Sequence, residues 1–135
     1  MTISPFIPYG RQDISQDDID AVISVLHSDF LTQGPQVPAF EAAVAAHTSA
    51  AYAVAVNSAT SALHIACIAL GVGPGDVVWT VPTTFVASAN CALYCGASVD
   101  FVDIDPIRYT MCPKALEAKL KTASQLPKVI IPVHL

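Results

Sequence analysis

Apolar residues follow two periods along this chain, and the period changes near residue 50. Before that point they recur at helical spacing. Ser15, with Asp18 three residues on, predicts a capped helix start, and Ile19, Val22, Ile23 and Leu26 carry an amphipathic helix to about Ser28. Thr32-Gln33-Gly34-Pro35 predicts a turn, and Phe40, Ala43, Val44 and His47 mark a second, Ala-rich helix. From Tyr52 short apolar runs alternate with helical segments. The expected order is strand Tyr52–Val56, helix from about Thr60 to Leu70, strand Val77–Val81, helix Thr84–Cys95, strand Val99–Ile104, helix Pro113 to about Lys121, and strand Val129–Val133. Gly71 and Gly96 stand where helices stop.

Two helices followed by β-α-β-α-β-α-β predict an α/β fold, a mostly parallel sheet with helices on both faces. The Thr60–Leu70 segment is apolar on nearly every face, as a helix buried on both sides would be. The last strand ends at Val133, two residues before the chain does. A βαβ array ordinarily continues with covering helices, and such sheets bind ligands at their carboxyl edge. The expectation is a piece of a larger fold, cut at a functional edge.

Composition agrees. Hydrophobic residues make up 53% of the 135 and charged ones 13%, against about 25% charged in an average soluble protein. That excludes disorder, and 11 Asp+Glu against 6 Lys+Arg argue against a nucleic-acid partner. The longest apolar stretch, Ala62–Val72, falls short of the ~20 residues a bilayer needs, and Met1–Pro5 lacks the basic and apolar regions of a secretory signal. A cytoplasmic protein with no membrane partner is expected. Cys67, Cys91, Cys95 and Cys112 include no C-x-x-C pair; the first three read as small buried hydrophobes. His27, His47, His64 and His134 lack ligand spacing, so no metal site is predicted.

Candidate chemistry gathers at two strand-to-helix junctions. Asn57-Ser58-Ala59-Thr60-Ser61 opens a helix, where free N–H groups and the helix dipole favour an anion and hydroxyls add donors. A phosphate would be held by the N–H groups of Thr60 and Ser61 and the Thr60 hydroxyl; ordinary capping by Ser58 or Thr60 explains the same residues. At Pro82-Thr83-Thr84-Phe85, an aromatic just past a strand end either stacks on a flat ring or belongs to the core. The glycines of a Rossmann or P-loop turn are missing here. Gly71-Val72-Gly73-Pro74-Gly75 follows a helix and precedes a strand, the wrong polarity for a phosphate loop.

At these residues the sequence resembles the DegT/DnrJ/StrS-type sugar aminotransferases, pyridoxal-phosphate enzymes of fold type I. The matching segments are Ile7–Gln12, Phe30–Pro35, Val56–His64, Gly71–Asp76, Pro82–Ser88 and Phe101–Asp105, in order along nearly the whole chain. Trp79, Ser88–Gly96 and Leu126–His134 are most similar to the pseudaminic-acid-pathway branch. The resemblance implies residues 1–50 as an N-terminal helical segment and residues 51–135 as the first, incomplete part of the cofactor-binding large domain. It implies Thr60 and Ser61 on the phosphate of pyridoxal 5'-phosphate and Phe85 on its ring. Tyr9, Thr32 and Gln33 would line the sugar-nucleotide site near a partner subunit, in a homodimer using glutamate as amino donor. Asp103 and Asp105 match a family pattern of unassigned role; Asp105-Pro106 also reads as a plain turn start. Tyr109–Pro113 departs from the family pattern at what should be a surface turn.

Such enzymes need a lysine to hold the cofactor and an aspartate for its ring nitrogen, and relatives carry both after the segment matching Pro132–His134. Lys114, Lys119 and Lys121 are expected on a peripheral helix and Lys128 at the amino end of the last strand. No catalytic residue is therefore assigned in this stretch. The alternatives are a complete, non-catalytic domain binding a phosphate ligand or sugar nucleotide, and a structural piece with no ligand.

Overall fold

A computed structural model describes residues 10–134. They fall into two compact units that divide between Ala55 and Val56. Among the described residues no helix is long and apolar enough to cross a membrane.

The first unit holds α1 (Gln16–Leu26) and α2 (Gln36–Thr48). The capping box forms as predicted. The Asp18 N–H donates to Ser15 Oγ, and the Ser15 N–H donates to Asp18 Oδ2 at 2.8 Å. The Ser15 N–H foremost, and the Ser15 hydroxyl donating to the same oxygen at 2.8 Å, hold the Asp18 carboxyl below the ordinary carboxylate range. Between the helices, Gln33 takes a left-handed φ of 52°.

Among the described residues the strand expected at Tyr52–Val56 does not form. A strand needs a neighbour to take its backbone groups. Here the Ala55 N–H donates instead to the Glu41 carboxylate at 2.8 Å, and Tyr52 and Val54 are 89% and 78% exposed. The alternation marks residues suited to a sheet, without a ladder to join.

The second unit is a three-stranded parallel sheet of β1 (Val77–Thr80), β2 (Ser98–Phe101) and β3 (Val129–Ile130), in spatial order β2-β1-β3. Val78 aligns with both Val99 and Val129, and Trp79 with Asp100 and Ile130. Because side chains alternate along a strand, this register builds two cores. Val78, Val99 and Val129 meet Leu63 and Cys67 of α3 (Ala59–Ala69) and Cys91 and Ala92 of α4 (Ala87–Tyr94) on one face. Trp79, Val81, Val102 and Ile130 meet Ala115 and Leu116 of α5 (Pro113–Thr122) on the other. The α/β class, the parallel sheet and the helices on both faces are as expected.

Among the described residues, helix α3 is covered on one side only. Leu63 and Cys67 face the core, while Ile65 and Ile68 are 47% and 57% exposed. Helix α4 starts at Ala87 rather than Thr84, since Pro82–Thr84 form bends and Val86 is the N-cap. Gly96 does end it, at φ 77°, its N–H on the Leu93 carbonyl. A Cβ there would lie 3.2 Å from Pro74 Cγ.

Candidate functional site

Both junctions singled out in the sequence serve helices of one layer. The first opens α3. Ser58 is the N-cap, extended at φ −163° and ψ 157°, and its Oγ accepts the Ser61 N–H at 3.1 Å. The Ser58 hydroxyl donates to Ser61 Oγ at 3.1 Å, and Ser61 Oγ donates to Asn57 Oδ1 at 2.7 Å. The cap reading is thus realised at Ser58, and both hydrogens of Ser61 are engaged within the chain.

Thr60 differs. It is half-buried, and neither its hydroxyl nor the N–H groups of Ala59 and Thr60 have a partner among the described residues. No acidic residue stands in the first turn of α3, so nothing offsets the partial positive charge of the helix start. The donors available to an anion are therefore those of Ala59 and Thr60. Asn57 opens the stretch picked out in the sequence without a role of its own, and its i,i+4 spacing to Ser61 marks the one it takes.

The second junction follows β1. Phe85 is 73% exposed, so it is not a core residue. Its carbonyl accepts the Ser88 N–H at 3.1 Å, which sets the turn into α4. Thr32 and Gln33 are exposed in the loop between α1 and α2, in the other unit, and Tyr9 lies outside the described residues.

The remaining polar groups have structural work. Asp105 Oδ1 accepts the N–H groups of Ile107 and Arg108 at 2.9 Å each; those bonds, the Arg108 one foremost, lower its carboxyl below the ordinary value. Asp105 thus starts a turn, as its sequence allows. The Tyr109–Pro113 departure is only partly surface, because Met111 is buried against Trp79. Cys67 and Cys91 are buried, as expected, and Cys95 is half-buried. Burial, with the Cys91 hydrogen bond adding, pushes the Cys67 thiol up to about 11. It stays protonated at neutral pH, which suits packing and not nucleophilic attack.

Lys119 is less peripheral than expected. Its ammonium donates to the Phe101 carbonyl at 2.5 Å, lies 2.6 Å from Asp100 Oδ2 and sits 4.7 Å over the Trp79 ring. It borders a cavity of about 410 Å³ with Trp79, Ser98 and Asp100, on the α5 face and so opposite α3 and α4. The Lys119 bond, foremost, holds the Asp100 carboxyl below its ordinary value. Lys114 and Lys121 are exposed, and the Lys128 N–H enters the start of the sheet on the Val77 carbonyl at 2.8 Å.

Comparison with known proteins gives a consistent picture. Residues 12–135 match the sequence profile of the DegT/DnrJ/EryC1/StrS aminotransferase family. The spore coat polysaccharide biosynthesis protein SpsC of Bacillus subtilis (strain 168) is 42% identical over 129 residues, covering 96% of this chain and 32% of that protein. An aminotransferase from Psychrobacter cryohalolentis superposes with a TM-score of 0.81 at 32% identity, over 97% of this chain and 32% of its own. Spr1654 from Streptococcus pneumoniae, described as a sugar aminotransferase and solved in a PLP form, gives a TM-score of 0.75 at 34% identity, over 83% of this chain and 29% of its own. The chain therefore spans about a third of the length of these relatives.

Proposed function

The chain belongs to the DegT/DnrJ/EryC1/StrS aminotransferase family, and we propose that the whole protein uses pyridoxal 5'-phosphate to move an amino group from glutamate to a UDP-linked 4-keto-6-deoxy sugar. Within that class we favour the pseudaminic-acid-pathway reaction, that of UDP-4-amino-4,6-dideoxy-N-acetyl-β-L-altrosamine transaminase, on the similarity of Trp79, Ser88–Gly96 and Leu126–His134. The carrying observation is the pair of junctions on one helical layer. The α3 start offers unpaired N–H groups and the Thr60 hydroxyl, and an exposed Phe85 follows β1.

These residues fit a phosphorylated planar ring. When bound, the cofactor supplies an electron-withdrawing ring next to the transferred nitrogen. The N–H groups of Ala59 and Thr60 and the Thr60 hydroxyl would hold its phosphate at the positive end of α3. Ser61 would join them on exchanging its bond with Asn57 for one to phosphate. Phe85 would lie against the ring and fix its plane, keeping the reacting carbon in register. Tyr9, Thr32 and Gln33 would contact the sugar nucleotide in a homodimer. Lys119 is already committed to Asp100 and Phe101, and we assign the cofactor-holding lysine and the ring-nitrogen aspartate to the part of the relatives that this chain does not span. The 135-residue chain alone is then inactive. Free thiols at Cys67 and Cys91 suit a reducing cytoplasm.

The test is a screen of the natural full-length protein against keto-sugar nucleotides with glutamate. Glutamate-dependent formation of a UDP-linked 4-amino sugar supports the proposal. Binding of a sugar nucleotide without amino transfer would refute it in favour of a non-catalytic domain.

A further inference from the structure

Two polar residues are buried among the described ones, Thr80 and Ser88. Thr80 has a plain structural task, its hydroxyl donating to the Ile131 carbonyl at 3.0 Å across β1 and β3. Ser88 needs another account. It lies in the first turn of α4, 7% exposed, and its hydroxyl shares a 2.8 Å hydrogen bond with the hydroxyl of Thr84. The helix meanwhile starts without a side-chain cap, since Val86 holds the N-cap position. The hydroxyl pair brackets Phe85 at the start of this helix.

The bracketing is specific. Ser88 grips the residue from two directions: its N–H donates to the Phe85 carbonyl at 3.1 Å, and its hydroxyl holds the residue immediately before Phe85. Ser88 is itself fixed from below, its carbonyl accepting the Cys91 thiol at 3.4 Å in the core between α3 and α4. An exposed aromatic ring just after a three-residue bend would otherwise sample several orientations. A buried hydroxyl also makes the bond hard to give up, because an unpartnered one is costly to bury.

We propose that Thr84 and Ser88 are positioning residues for ligand binding: their hydroxyl bond sets the direction in which Phe85 presents its ring to a bound planar cofactor. The inference rests on the reading of Phe85 given under the proposed function. A side chain locked by its neighbours binds more tightly because less freedom is lost on contact.

The test uses the natural full-length protein with pyridoxal 5'-phosphate, comparing Thr84→Val, Thr84→Ser and Phe85→Ala. Valine keeps the shape and removes the hydroxyl; serine keeps the hydroxyl. The readouts are the cofactor dissociation constant by fluorescence titration, the circular dichroism induced in the cofactor band, and the melting temperature. Thr84→Val should weaken binding roughly threefold to tenfold, the range of one neutral hydrogen bond, and change the induced band. Thr84→Ser should restore both, and in a Phe85→Ala background the Thr84→Val effect should vanish. If Phe85→Ala weakens binding while Thr84→Val only lowers the melting temperature, the pair is merely structural and the inference fails alone. If Phe85→Ala binds like the wild type, the reading of Phe85 fails and takes the inference with it.

Discussion

Thr60 and Ser58 sit two residues apart at the start of α3 and should respond to substitution in opposite ways. Ser58 Oγ is the cap acceptor for the Ser61 N–H at 3.1 Å. Ser58→Ala should therefore cost about 1 kcal/mol of stability. Its effect on cofactor affinity should be small, because the freed Ser61 N–H becomes one more donor for the anion. Thr60 makes no side-chain bond among the described residues, and alanine is the better helix former by up to about 0.7 kcal/mol. Thr60→Ala should thus leave stability unchanged or slightly raised. It should remove a hydrogen bond to a charged phosphate, worth about 1.5–3 kcal/mol, and so weaken binding roughly 10- to 150-fold at 1.4 kcal/mol per decade. Urea unfolding and fluorescence titration with pyridoxal 5'-phosphate measure the two effects separately on the full-length protein. Equal affinity for Thr60→Ala and wild type, in a protein that still folds, would refute the phosphate seat.

Three further predictions follow from the α5 face. Lys119→Met keeps the aliphatic stem and removes the ammonium, so the Asp100 carboxyl, now depressed first by that bond and then by the Phe101 N–H, should titrate closer to its ordinary value by carboxyl NMR. A depressed carboxylate stabilises the fold above its unfolded-state pKa and loses that contribution as pH falls through its native one. The Lys119→Met penalty, on the order of 1 kcal/mol, should therefore be largest at pH 7 and shrink in acid by its ion-pair share, leaving the part due to the Trp79 ring and the Phe101 carbonyl; a wholly pH-independent penalty would contradict the ion pair. Trp79→Ala should cost roughly 3–5 kcal/mol by urea unfolding, since the ring is 2% exposed, and a loss below about 1 kcal/mol would contradict the two-core arrangement. The 135-residue chain incubated with pyridoxal 5'-phosphate and borohydride should give no stoichiometric adduct by mass spectrometry; one at Lys119 would show that its tie to Asp100 does not hold it away from the cofactor.

Elements whose cause is local could be read from the sequence. Ser15 and Asp18 close their own box, Gly96 supplies its own left-handed stop, and the alternation Val78, Trp79 places one side chain on each face of β1. The signals that misled concern partners elsewhere in the chain. Tyr52–Val56 has the period of a strand, yet ladder bonds belong to two segments, and Glu41 takes the Ala55 N–H instead. The apolar surround of α3 predicts two covered sides, but composition does not say what covers them; Leu63 and Cys67 find the sheet while Ile65 and Ile68 face outward. Lys119 over Trp79 joins positions forty residues apart in sequence, and no motif links them.

The two junctions divide along the same line, and the division bears on which donors can do chemistry. Ser58, Thr60 and Ser61 look equivalent as a string of small hydroxyl residues. A helix start separates them, because only the N-cap side chain folds back onto the third N–H. Ser58 and Ser61 then satisfy each other, with Asn57 ending the relay. Thr60, between them in sequence, takes no part in that relay, which is why the proposed phosphate seat leans on its hydroxyl. At Thr84–Ser88 the same hydroxyl chemistry lies four residues apart and partly buried, so the pair closes on itself and holds a turn. One kind of hydroxyl thus caps a helix at Ser58, ties a turn at Thr84 and Ser88, and stays unengaged at Thr60, and the backbone frame around each decides which.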